Sequence, residues 1–138
     1  MLAPLQESER VMQQEAELVL EAVTEFMRYI RLYVRDWEEA YLRFTVSEES
    51  SGIAVTYLAG HEAHFVDSDD EHEIEVMSLL SNCLAELQRK LGFKVALLIV
   101  RPSNDFKVLY EHRDSSRWEI TKLDGRSGIP EGYLRRSW

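Results

Sequence analysis

The chain has 138 residues, 45% of them hydrophobic, with a net charge of −9 and one cysteine. That length and apolar content fit a single domain with a proper core and argue against disorder, while the lone Cys83 excludes an internal disulfide and fits a reducing compartment. The charge is lopsided: residues 1–75 carry 18 Asp and Glu against 5 Lys and Arg, and residues 76–138 carry 7 against 11, so phosphate backbones and anionic lipid are poor ligands for the first half and a basic protein is a better one.

From Ser8 onward, Met12, Ala16, Val19, Val23, Phe26, Ile30 and Tyr33 recur in steps of three and four, with Leu20, Met27 and Val34 widening the face. This predicts a long amphipathic helix. Its other side runs from Glu15, Glu17, Glu21 and Glu25 to Arg28, Arg31 and Arg35, a gradient that complements the helix dipole. A heptad-like stripe also suits a dimer seam, but packing against a sheet accounts for it more simply.

After Asp36 the period changes to two. Tyr41, Arg43 and Thr45 alternate with Leu42, Phe44 and Val46, and residues 53–58 repeat the alternation after the turn-rich stretch 47–52, which predicts a hairpin. His64, Phe65 and Val66 suggest a short third strand. Ser68 and Glu71 have the spacing of a capping box that opens a second helix. That helix puts Ile74, Met77, Leu80, Leu84, Leu87 and Leu91 on one face and ends at Gly92. Residues 94–100 form a continuous apolar run, the mark of a central strand buried on both faces, and residues 106–111 close a second hairpin across the turn at residues 101–105. Trp118 to Thr121 is read as a further extension of the sheet. From Lys122 the tail is Gly- and Arg-rich, and residues 122–138 are predicted to be irregular. The expected fold is α+β, one domain over residues 1–138 with helices packed on an antiparallel sheet.

The densest feature is the run HEAHFVDSDDEHEIE, residues 61–75, with seven carboxylates in fifteen positions. Like charges this close repel one another, and a cationic partner would offset that repulsion. Asp69, Asp70, Glu71 and Glu73 suit a helix N-terminus; Glu62, Asp67 and Glu75 have no such structural reason to be acidic.

Chemistry is sparse elsewhere. His61, His64 and His72 lie near Asp67, Asp69 and Asp70, but their spacing matches no zinc signature, so no metal is expected. Cys83 sits in an apolar helical pattern, there is no Gly-x-Ser-x-Gly elbow, and the six glycines make no phosphate-cradling loop. No catalytic residue and no cofactor are expected. Trp37, Trp118 and Trp138 lack a basic groove beside them and read as core or interface aromatics. The first residues lack the basic and apolar segments of a signal peptide, and no eighteen consecutive apolar residues occur, so the expected location is the cytoplasm.

The order helix, hairpin, helix, hairpin, with Trp37 leading into the first strand, Ser51-Gly52 in the turn, Tyr57, and a last hairpin reading FKVLYE at residues 106–111, resembles the YezG-like immunity proteins. These are antitoxins of bacterial polymorphic toxin and contact-dependent inhibition systems. Tyr110 to Asp114 departs from the more acidic strand end of that family. The resemblance implies a non-catalytic cytoplasmic protein that binds a cognate toxin, often a nuclease, and the acidic surface independently suits a cationic nuclease domain. The toxin-facing residues expected on this reading are Glu48, Glu49, Glu62, Asp67, Asp69, Asp70 and Glu73, with Tyr57 or Phe65 as aromatic anchors. The protein is expected to be a monomer, with neither nucleic acid nor membrane as partner. The rival reading is an acidic secretion chaperone, whose family shows helix, three strands, helix, two strands, and which holds an extended effector segment as a dimer.

Overall fold

The computed structural model of the chain describes residues 3–48, 50–66 and 70–133, with residues 3–12 as backbone only. Helix α1 spans Ala3–Tyr33; strands β1 (Glu39–Val46), β2 (Ser51–Ala59) and β3 (Glu62–Phe65) follow, then helix α2 (His72–Leu91) and strands β4 (Val95–Val100) and β5 (Phe106–Glu111). The sheet is antiparallel throughout, in the order β3-β2-β1-β4-β5. The domain is α+β, with both helices on one face of the sheet.

The two helices run antiparallel to each other. Near one end Tyr33 meets Asp70 and Tyr29 meets Glu73; near the other, Cys83 donates to the Leu18 carbonyl. The helix side of the sheet presents Ala40, Leu42, Phe44, Val55, Ala96, Leu98 and Val100 to Phe26, Ile30, Leu80, Leu84 and Leu87. Side chains alternate across a strand, so Tyr41, Leu58, Val95, Leu97 and Ile99 point away from the helices into a second cluster. That cluster is closed by the segment after β5, which lays Trp118, Ile120, Ile129 and Tyr133 over it.

This closing strap corrects the reading of Trp118–Thr121 as sheet. Among the described residues no strand follows β5. Trp118 and Ile120 alternate with polar neighbours because an extended segment lying flat on a sheet face also buries every second side chain. Trp118 itself has φ 58°, which no strand tolerates. Polar stitches hold the strap: Arg43 donates to the carbonyls of Arg117 at 2.9 Å and Ser115 at 2.8 Å, Thr56 Oγ1 to Gly128 O at 2.8 Å, and Lys122 Nζ to Ala63 O at 2.9 Å. Gly128 has φ 83°, and a Cβ there would stand 3.1 Å from Lys122 Cγ and 3.3 Å from Ala63 Cβ, so only glycine brings its carbonyl to Thr56 without strain. Of the tail expected to be irregular over residues 122–138, the described residues 122–133 form no helix or strand beyond a short 3₁₀ turn at Leu123–Gly125, yet residues 126–133 include part of the core cover; residues 134–138 lie outside the described residues.

The helix faces expected from sequence hold at Val23, Phe26, Met27 and Ile30 of α1 and at Leu80, Leu84 and Leu87 of α2, all buried, and fail at particular positions. In α2 the buried residues are Val76, Leu80, Cys83, Leu84 and Leu87, and Ile74 is 74% exposed. Two residues separate Ile74 from Val76, about 200° around a helix, so only one of them reaches the core. In α1, Ala22 and Tyr29 are buried whereas Ala16 and Leu20 face outward.

Glu39, at the start of β1, is fully buried. Its Oε2 accepts from Arg101 Nε at 2.8 Å and its Oε1 from Tyr41 OH at 2.7 Å, which ties the first strand to the β4–β5 turn. Paired in this way the buried charge is tolerated. For the second core, Trp118→Ala should lower unfolding free energy by about 3–5 kcal/mol, read from urea denaturation; a loss within the ±0.5 kcal/mol typical of surface changes would mean the strap does not seal that core.

Candidate functional site

The carboxylates after β3 fall into two groups. One group clamps α2 to α1. Glu71 precedes the helix with helical backbone (φ −63°, ψ −28°) and no side-chain cap, and the capping falls to Asp70, whose Oδ1 accepts the N–H of His72 at 2.9 Å and whose carbonyl accepts that of Glu73 at 3.2 Å. Of the capping box expected at Ser68 and Glu71, Ser68 lies outside the described residues; the helix begins at His72, with Asp70 accepting its first N–H groups. Asp70 Oδ2 also accepts from Tyr33 OH at 3.1 Å, and Glu73 Oε1 from Tyr29 OH at 2.6 Å. The His72 N–H and then the Tyr33 hydroxyl hold the Asp70 carboxyl below its usual range, so it stays ionised. Burial, followed by the Glu73 contact, drives the Tyr29 phenol upward and keeps it a donor.

The other group is free of this clamp. Glu62, Glu71 and Glu75 are exposed, Glu75 standing 3.7 Å from His72 Nδ1. Large apolar side chains are left in solvent on the same elements: Phe65 is 48% exposed at the end of β3, and on α2 Ile74 is 74% exposed one turn from Glu71 while Leu79, 55% exposed and about 140° further round the helix, lies one turn from Glu75. An open groove of about 420 Å³ beside Ile74 is lined by Met77, Ser78, Ser81 and Asn82 as well as Glu73. Apolar anchors inside a charged rim are the anatomy of a protein-binding surface. Tyr57, the other anchor considered, is half-buried against the helix-side core with its ring 5.5 Å from that of His64.

The residues expected to face a partner are not all brought together. Glu62, Asp70 and Glu73 share the end of the sheet where β2 turns into β3. Glu48 is exposed in the β1–β2 turn at the opposite end of the nine-residue β2, which at about 3.3 Å per residue is some 26 Å away. Glu49, Asp67 and Asp69 lie outside the described residues. Ile74 was missed as a surface anchor because it was placed on the core face of α2, and the two-residue offset from Val76 was the available signal; Leu79 was assigned no role from sequence.

His61 lies in the β2–β3 turn with φ 86°, and His64 lies in β3. Among the described residues no three His, Cys, Asp or Glu side chains gather as a metal would require. Cys83 is buried, and burial, with Glu21, Glu86 and Glu25 adding to it, pushes its thiol up to about 11, far from the range of a reactive thiolate. No helix among the described residues is long and apolar enough to cross a membrane. Neither protein-family models nor curated proteins match the sequence, so the likeness to the YezG-like family rests on its quoted residues alone.

The two tyrosines that hold α2 differ in burial, and this predicts different costs. Tyr29→Phe leaves a half-buried Glu73 carboxylate without its donor and should cost about 1.5–3 kcal/mol in urea denaturation, while Tyr33→Phe, at an exposed bond, should cost less than about 1 kcal/mol. Equal losses would contradict the division of the acidic run into a clamp and a free rim.

Proposed function

We propose that this chain is a non-catalytic binding protein of the immunity type, which occupies a cationic surface on a cognate protein toxin, a nuclease domain being the best fit. The observation that carries the reading is the exposed apolar set Phe65, Ile74 and Leu79 among the exposed carboxylates Glu62, Glu71 and Glu75. Apolar anchors supply affinity once desolvated, and the acidic rim steers a basic partner toward them. Asp70 and Glu73 contribute to the field of this corner while they hold α2 in place. Glu48 belongs to such a contact only if the partner also reaches the far end of the sheet. The cytoplasm is the compartment that a free buried thiol and this role suit.

A second reading has one observation in its favour. The third strand, β3, gives the chain the order helix, three strands, helix, two strands, which is the order of the acidic secretion chaperones. There the partner is an extended effector segment instead of a folded domain.

The test is capture of the tagged protein from its native lysate, identification of the copurifying protein, and measurement of association with that purified partner. Glu62→Lys, Glu71→Lys and Glu75→Lys together should slow association about tenfold or more at low salt and flatten its salt dependence. Partner expression should kill cells only when this chain is absent. Unchanged association rates would remove the acidic rim from the interface, and a harmless partner bound through an unstructured segment would replace immunity with the chaperone role.

A further inference from the structure

The outward side of α1, between its groove with α2, where Glu17 and Glu21 stand beside Glu86 and Lys90, and the edge strand β5, is a second exposed surface. Outward-facing residues follow the helix in steps of three and four: Glu17, Leu20, Thr24, Arg28 and Arg31, with Glu21 beside them. Leu20 is 53% exposed. Next to this stripe, between α1 and the edge strand β5, runs a groove of about 520 Å³ floored by Val23 and Met27 and walled by Leu20, Leu32 and Phe106. Arg31 is fixed at its rim, since its Nη2 donates to Asn104 Oδ1 at 2.9 Å and to Pro102 O at 3.2 Å.

The order of charges along the stripe selects the occupant. The first half is acidic, at Glu17 and Glu21, and the second half basic, at Arg28 and Arg31. A copy of the same helix laid antiparallel, with its two-fold axis at the level of Thr24, sets Glu17 level with Arg31 of the second copy and Glu21 within one residue, about 1.5 Å, of the level of Arg28 of the second copy. Each pair occurs twice by symmetry. A parallel copy would set like charges against each other. At the axis, Thr24 is small enough for close approach, and Leu20 from each side enters the apolar groove. Antiparallel helices matched in this way pair unlike charges on the same flank of the seam.

We infer that this face of α1, with the groove beside β5, is a homodimer interface in which two copies of α1 pack antiparallel. It goes beyond the binding of a partner at the β3–α2 corner, because α1 meets α2 on its other flank and the corner stays open in the pair. It also departs from the monomer expected from sequence. A contact along residues 13–35 is about 33 Å long, at the small end of specific interfaces, so the pair forms reversibly at micromolar concentrations.

The test is sedimentation equilibrium of the whole chain at low salt, from about 1 to 200 µM. The wild type should shift from single to double mass across that range, and raising salt to about 1 M should favour the single chain. Glu17→Arg with Glu21→Arg, and separately Arg28→Glu with Arg31→Glu, should each be monomeric throughout. An equimolar mixture of the two variants should regain the double mass, because every level then pairs unlike charges. A wild type that stays monomeric at 200 µM overturns the inference, as do variants that dimerise alone. A mixture that remains monomeric while both variants keep wild-type circular dichroism overturns it as well. Loss of partner capture with dimerisation intact would count against the binding reading and leave the dimer standing.

Discussion

Everything in this fold follows from two central strands that are buried on both faces. β4 is buried at all six positions, and β1 at its first four. A sheet with such a centre needs cover on both sides. Two helices supply one cover in the ordinary way. The other comes from a strap with no regular structure of its own, and this is why polar stitches matter so much there. With no strand pairing to satisfy its backbone, the strap leans on Arg43 and Thr56 from the sheet, on its own Lys122, which reaches back to the Ala63 carbonyl of β3, and on bonds it makes with itself, Gly128 to Thr121 and Glu131 to Glu119.

With both sheet faces closed, the remaining surface chemistry sorts itself. The apolar side chains left in solvent lie mainly on the outer sides of the two helices and at the sheet's edge strands. On α2 and β3 they stand among carboxylates, which suits a cationic partner; on α1 they stand between an acidic and a basic half, which suits the helix itself. The acidic run between β3 and α2 does two jobs at once. Asp70 and Glu73 are bound by the hydroxyls of Tyr33 and Tyr29, so part of the repulsion within the run is offset inside the molecule. Glu62, Glu71 and Glu75 keep their charge in solvent, where it acts at a distance.

Sequence made the frame legible because the frame is periodic. The α+β class, both hairpins, the short third strand, the doubly buried β4 and the C-cap at Gly92 all leave a local signature. What it could not resolve has physical reasons. Apolar residues two apart on a helix lie about 200° from each other and only one reaches the core, so Val76 is buried where Ile74 was expected, and Ala22 where Leu20 was. A strap lying flat on a sheet shows the same alternation as a strand, so Trp118 and Ile120 read as sheet. The pairing of Glu39 with Arg101 crosses 62 positions of sequence and has no local sign. In the candidate site, the acidic character of the β3–α2 corner was evident, while the separation of Glu48 from it depended on which end of β2 each turn occupies.

The claim on which this account rests is that the strap is part of the cooperative core. Native-state hydrogen exchange of the whole chain measures this directly, by comparing the amides of Gly128 and Glu131 in the strap with those of Leu97 and Leu98 in β4. The account predicts that all four open only with global unfolding and share one opening free energy. Strap amides that exchange about a hundredfold faster or more while β4 stays protected would contradict it, and would make the second face of the sheet a surface covered only part of the time.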